Sequence, residues 1–150
     1  MQLSKNFTLA EMLRSQTATR LGYDEQFKPS GPVIANLKAL CENLLQPLRE
    51  QLRKSIQVTS GYRCKRLNTA IGGSAKSQHL TGQAADIVVE GLSTEQLYQR
   101  IKKSKILFDQ LIQEFDQWVH ISYNPSRAKN RRQCLRAVKE NGKTKYLPDT

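Results

Sequence analysis

The 150-residue chain predicts an α+β fold, an antiparallel sheet flanked by helices. Three observations carry that prediction. Val33, Ile34, Leu37, Leu40, Cys41, Leu44, Leu45 and Leu48 recur at helical spacing and define a single apolar stripe. Residues 56–60, 107–114 and 118–123 are short apolar segments suited to strands, and the last two are close enough to form a hairpin. Near the C-terminus, Asn141-Gly142 separates Ala137-Val138 from Tyr146-Leu147, and this dipeptide favours the type I′ turn that joins paired strands.

In chain order, Thr8 and Glu11 form a TxxE capping box that opens a first helix, which should fade before Gly22. The stripe beginning at Val33 is the main core helix. Pro47 lies within it and, lacking an N–H and crowding the preceding turn, should kink or divide that helix. After the strand at 56–60, residues 61–83 turn polar and glycine-bearing, which reads as a long ordered loop carrying function. A strand is expected at 86–89, and Ser93 with Gln96 caps a helix through about Lys103. The length suits one domain, residues 1–150, with one core.

Composition narrows the chemistry. The chain has 24 Lys and Arg against 13 Asp and Glu, a formal net charge of +11 that favours anionic partners at long range. The basic residues concentrate between Arg127 and Lys145, but few aromatic residues interleave with them and no recognition motif appears, so no specific nucleic acid is expected. Cys41, Cys64 and Cys134 are an odd number without a CxxC pair, which argues against a disulfide framework or a thiolate zinc site. The N-terminal residues lack the apolar core of a signal peptide, and no apolar run is long enough to span a membrane. The product is expected to start in the cytoplasm, as a monomer.

Chemistry concentrates around the two histidines. Asp86 opens the apolar run Ile87-Val88-Val89, so its carboxylate enters the sheet near the core, where an unpaired charge is costly. Gly82 permits a tight turn and Ala84-Ala85 a close approach, so His79 can fold back beside Asp86. The period of two in Trp118-Val119-His120-Ile121-Ser122 places His120 on the face opposite the apolar Val119 and Ile121. Two imidazoles and a carboxylate leave one position of a tetrahedral site open, as catalytic zinc requires. Pairing of Asp86 with one of the many arginines is the competing reading of these residues.

The segments SGYR at 60–63, SxHxxGxAxD at 77–86, FDQLIxEF at 108–115 and WVHIS at 118–122, in that order, resemble the M15 family of zinc peptidases, and more narrowly its short phage and prophage branch. The resemblance implies the Hedgehog/D-Ala-D-Ala peptidase fold, Zn2+, and peptidoglycan stem or cross-link peptides as substrate, cut by a carboxypeptidase or an endopeptidase. It puts His79, Asp86 and His120 on the zinc ligands and Arg63 and Ser77 on the substrate side. Many members carry an acid three residues before the second histidine, where this chain has Gln117, and others an HxH pair whose first histidine is replaced by Trp118. The glutamate six residues before it, Glu114, is then the expected base, with Asp116 as the alternative. The departures leave a second reading, a metal-bearing peptidoglycan-binding module without catalysis. A wall substrate would require release from the cytoplasm.

Overall fold

Residues 1–150 are described in a computed structural model. A short β1 (Gln2–Ser4) pairs with β2 (Phe7–Thr8), after which the Thr8 hydroxyl accepts from Glu11 N–H and Glu11 accepts from Thr8 N–H, opening α1 (Leu9–Leu13). The first helix does not run on toward Gly22 without interruption. Arg14 adopts an extended conformation, Ser15 caps a new start, and α2 (Gln16–Leu21) ends at Gly22 with φ of 72°.

The apolar stripe forms α3 (Gly31–Leu40), a π-helical turn over Cys41–Leu45, and α4 (Gln46–Leu52). The helix is not divided at Pro47. The turn before the proline widens so that Gln46 N–H bonds the Cys41 carbonyl, five residues back, and the helix continues. A proline removes one i→i−4 bond and pushes on that carbonyl, and the extra residue of a π turn relieves both demands. Leu37, Leu40, Cys41, Leu44, Leu45 and Leu48 are consequently all buried along one core that reaches the sheet.

The sheet begins with β3 (Gln57–Ser60). The polar stretch that follows is ordered, as expected of it, but it contains α5 (Lys65–Ala70), whose first turn is capped by the Cys64 thiol, and a 3-10 turn over Gln78–Thr81. A single inward apolar residue, Leu67, anchors α5, too little to register as periodicity. The chain then adds β4 (Ala84–Val88), α6 (Thr94–Lys102), β5 (Gln110–Glu114), β6 (Trp118–Ser122), β7 (Gln133–Glu140) and β8 (Lys143–Pro148). The strand order is β3-β4-β6-β5-β7-β8.

This α+β sheet is mixed, which corrects the antiparallel expectation: β5 and β7 run parallel, with Ile112 beside Leu135 and Glu114 beside Ala137. The cause lies in the connection after β6. The side chain of Asn130 accepts from Asn124 N–H and donates to its carbonyl, closing residues 124–130 into a compact loop. The chain therefore stays at the end of the sheet where β6 finished and β5 began, and β7 must set off in the direction of β5. One sheet face carries Leu111, Val119, Ile121, Ala85 and Ile87 into the helical core. The other carries Asp86, His120, Ile112, Glu114 and Trp118. No helix is long and apolar enough to cross a membrane.

Candidate metal centre

Strand register brings the second face together. Asp86 on β4 stands directly opposite His120 on β6, and His120 stands opposite Ile112 on β5. Residues 61–83 fold over this face and deliver His79 from the 3-10 turn. Two glycines make that path possible. A Cβ on Gly61 would collide with the Met12 carbonyl, and Gly82, at φ of 78°, packs against the Val33 carbonyl, where a Cβ would sit 2.8 Å away. His79, Asp86 and His120 are all buried, and one ligand atom from each lies within 4.8 Å of the others.

The hydrogen bonds specify what those atoms can do. His79 Nδ1 lies 2.6 Å from the Gly61 carbonyl oxygen, and because a carbonyl only accepts, the proton of a neutral ring sits on Nδ1. Nε2 is then a lone pair, and it faces Asp86 Oδ1 at 3.3 Å. His120 Nδ1 reaches the same oxygen at 3.0 Å. Burial, outweighing the nearby carboxylate, lowers the proton affinity of His79 and disfavours an imidazolium as the solution. A lone pair facing a carboxylate calls for a cation, and the donor set fits one. With metal–ligand bonds of roughly 2.0–2.1 Å, neighbouring atoms of a tetrahedral site lie about 3.3 Å apart. The Gly61 carbonyl is the kind of outer partner that fixes a metal-binding histidine.

Asp86 meets a cation on its other oxygen: Arg63 forms an ion pair with it, Nη2 to Asp86 Oδ2 at 3.2 Å. Nε donates to Ser60 Oγ at 3.0 Å and Nη1 to Asn68 Oδ1 at 3.3 Å, so each guanidinium nitrogen is engaged within the protein, with 14% of the side chain exposed. Ser77 caps the 3-10 turn by accepting from His79 N–H at 3.2 Å, and it also lines the cleft.

A cleft of about 880 Å³ opens over the three residues, and Glu114 stands in its wall. Glu114 opposes Trp118, two residues from His120 on the same face of β6. Its proton affinity is raised, first by burial and then by the charge of Asp86. Asp116 is elsewhere: its backbone N–H and its carboxylate both bond the Gln113 side chain, which belongs to the opposite face. The hairpin between Glu114 and Trp118 turns through Phe115 and Asp116 at φ of 58° and 57°, a type I′ shape made without glycine.

Several residues of this region carried no advance signal. Asn68 supports Arg63; Gln78 donates to Asp109, which also binds Arg131 bidentately at 2.8 and 2.9 Å. Tyr146, Gln133 and Leu135 line the same cleft from the last hairpin. Only long-range folding assembles them, and nothing in their local spacing marks them. The basic run is also less uniform than a solvated face: Arg131 pairs with Asp109, and Arg136 with Glu95. No curated protein matches the chain. The family model described as Peptidase M15 does match, over residues 5–122, a span that includes Arg63, all three candidate ligands and Glu114. The chain therefore belongs to the M15 peptidase family.

Proposed function

We propose that the protein is a zinc-dependent peptidase of peptidoglycan stem or cross-link peptides, with His79, Asp86 and His120 holding the metal and Glu114 serving as the general base. The observation that carries this reading is the convergence of the His79 lone pair, Asp86 Oδ1 and His120 Nδ1 in a cleft walled by Glu114. Zinc suits two imidazoles and a carboxylate better than magnesium or calcium, which prefer oxygen ligands. When bound, the metal would supply a Lewis acid that activates water and polarises the scissile carbonyl.

The chain's own groups divide the remaining work. The Gly61 carbonyl holds the His79 ring so that Nε2 faces inward. Arg63 orients Asp86 through Oδ2 and leaves Oδ1 to the histidines. We therefore assign Arg63 a positioning role in place of the expected grip on a substrate carboxylate, and Ser77 the role of holding the loop that carries His79. Glu114, more basic than an ordinary carboxylate, takes a proton from the attacking water and returns it to the leaving amine.

Mass spectrometry of muropeptides incubated with the zinc-replete protein tests the proposal. Cleavage that disappears on Glu114→Gln is expected, and the mass lost identifies the bond. Intact muropeptides after incubation with wild-type protein would remove the enzymatic reading and favour the binding module, whose motivating feature is Gln117 in place of the acid.

A further inference from the structure

The family match ends at residue 122, yet the cleft does not. Its wall on the β7–β8 side is built from Arg131, Gln133, Leu135 and Tyr146, all beyond the matched residues. Register explains how they arrive there. Gln133 lies beside Gln110, Leu135 beside Ile112 and Ala137 beside Glu114 across the parallel pair, and Tyr146 faces Ala137 from β8. Trp118, Glu114, Ala137 and Tyr146 thus form one row across the sheet, with the base candidate between two aromatic residues.

Ala137 matters in that row because it is buried and small, so nothing larger stands between Tyr146 and Glu114. Burial and the charges of Glu114 and Asp86 raise the proton affinity of the Tyr146 phenol, which stays a donor at neutral pH. Tyr146 nonetheless remains 52% exposed at the cleft. A ring half-covered by its own sheet and half-open to the cleft has one apolar face free for a ligand. Leu135, half-buried in the same wall, extends that apolar surface toward Ile112 and His120.

We propose that the β7–β8 hairpin is the wall that receives the substrate peptide, and that Tyr146 is its specificity-determining residue, its ring packing on the peptide chain and its hydroxyl donating to a peptide carbonyl. This inference rests on the peptidase reading for its substrate class. Neither strand is needed to hold the candidate metal ligands, since β4, β6 and the 3-10 turn do so. The hairpin is attached to the body independently of Tyr146, through Arg136 to Glu95 and Asp149 to Tyr98 and Lys102.

The test compares full-length wild-type protein with Tyr146→Phe and Tyr146→Ala, measuring zinc affinity, thermal stability, and kcat and KM on muropeptides. Zinc affinity should be the same in all three. Tyr146→Ala should raise KM about tenfold or more, and Tyr146→Phe, which keeps the ring, about threefold. An unchanged KM in Tyr146→Ala overturns the proposal, as does a shifted acid limb of the pH profile at constant KM, which would mean that Tyr146 acts through Glu114 alone. If wild-type protein cleaves nothing, the peptidase reading fails separately, and calorimetric titration of muropeptides into the zinc-loaded proteins decides the hairpin's role. Binding weakened about tenfold by Tyr146→Ala supports it. Equal binding, or none by wild type, overturns it.

Discussion

Two charged clusters lie on opposite faces of the sheet and differ in how their polar atoms are matched. On the helical side, Arg136 forks onto Glu95 at 2.7 and 2.9 Å and also reaches Asp149, which accepts from Tyr98 and Lys102. Every acid there meets a donor, and the guanidinium lies 4.8 Å above the Tyr98 ring. On the cleft side, two imidazoles converge on a single carboxylate oxygen, one of them committed by its other nitrogen to a carbonyl. The first cluster is complete as it stands and fastens the last hairpin to α6. The second leaves the His79 Nε2 lone pair facing that carboxylate, an arrangement able to hold a metal ion.

Breaking the convergent cluster should have the largest effect. Asp86→Ala or His120→Ala is expected to weaken zinc binding more than about 100-fold, read by competition with a chromophoric chelator. Retained affinity would show that these are not the ligands. Stripping the metal with a chelator should abolish turnover of muropeptides, and adding zinc back should restore it.

Glu114→Gln should lower kcat by about 10²–10⁴ while leaving zinc affinity intact. The pH profile gives an independent check. A base works when deprotonated, so activity should fall as pH drops through the pKa of Glu114. The residual activity of Glu114→Gln should lack that acid limb, and a limb retained in the variant would point to another base.

The matched cluster should respond in stability and not in metal binding. Arg136→Ala is expected to cost about 1–2 kcal/mol in urea denaturation, restrained by solvent at these partly exposed groups, with unchanged zinc affinity. Hydrogen bonds from Arg136 lower the pKa of Glu95 from 4.5 to about 2. That contribution is complete above the unfolded value and is lost as pH falls from about 4.5 toward 2, so the variant should show a flatter loss of stability over that window. Lys102→Met, which removes one of the cations on Asp149, should cost no more than about 0.5 kcal/mol. A larger penalty would mean that the carboxylate depends on Lys102 more than the geometry implies.

Much of this was legible in the chain itself. The capping boxes at Thr8 and Ser93 and the Asn141-Gly142 turn appear where the residues predict them, because each depends on groups within three or four positions. His79, Asp86 and His120 could be singled out because a charge opening an apolar strand and a histidine on its polar face are local contradictions that ask for a partner. The parallel β5–β7 pair was not legible, since it follows from a loop closed by Asn124 and Asn130. Nor was the bridging of Pro47 by a π turn, where helical packing outweighed a local breaker.

The sequence by itself therefore determined the two capping boxes, the apolar stripe, the last hairpin turn and the residues able to hold a metal, all of which rest on short-range sterics, hydrogen bonding and periodicity. Tertiary structure alone decided which lone pair of His79 faces Asp86, that Arg63 turns inward to Asp86, and that Tyr146 stands in the wall of the cleft. Those outcomes depend on contacts between residues far apart in the chain, such as Gly61 with His79 and Glu114 with Ala137, whose geometry exists only once the sheet has formed.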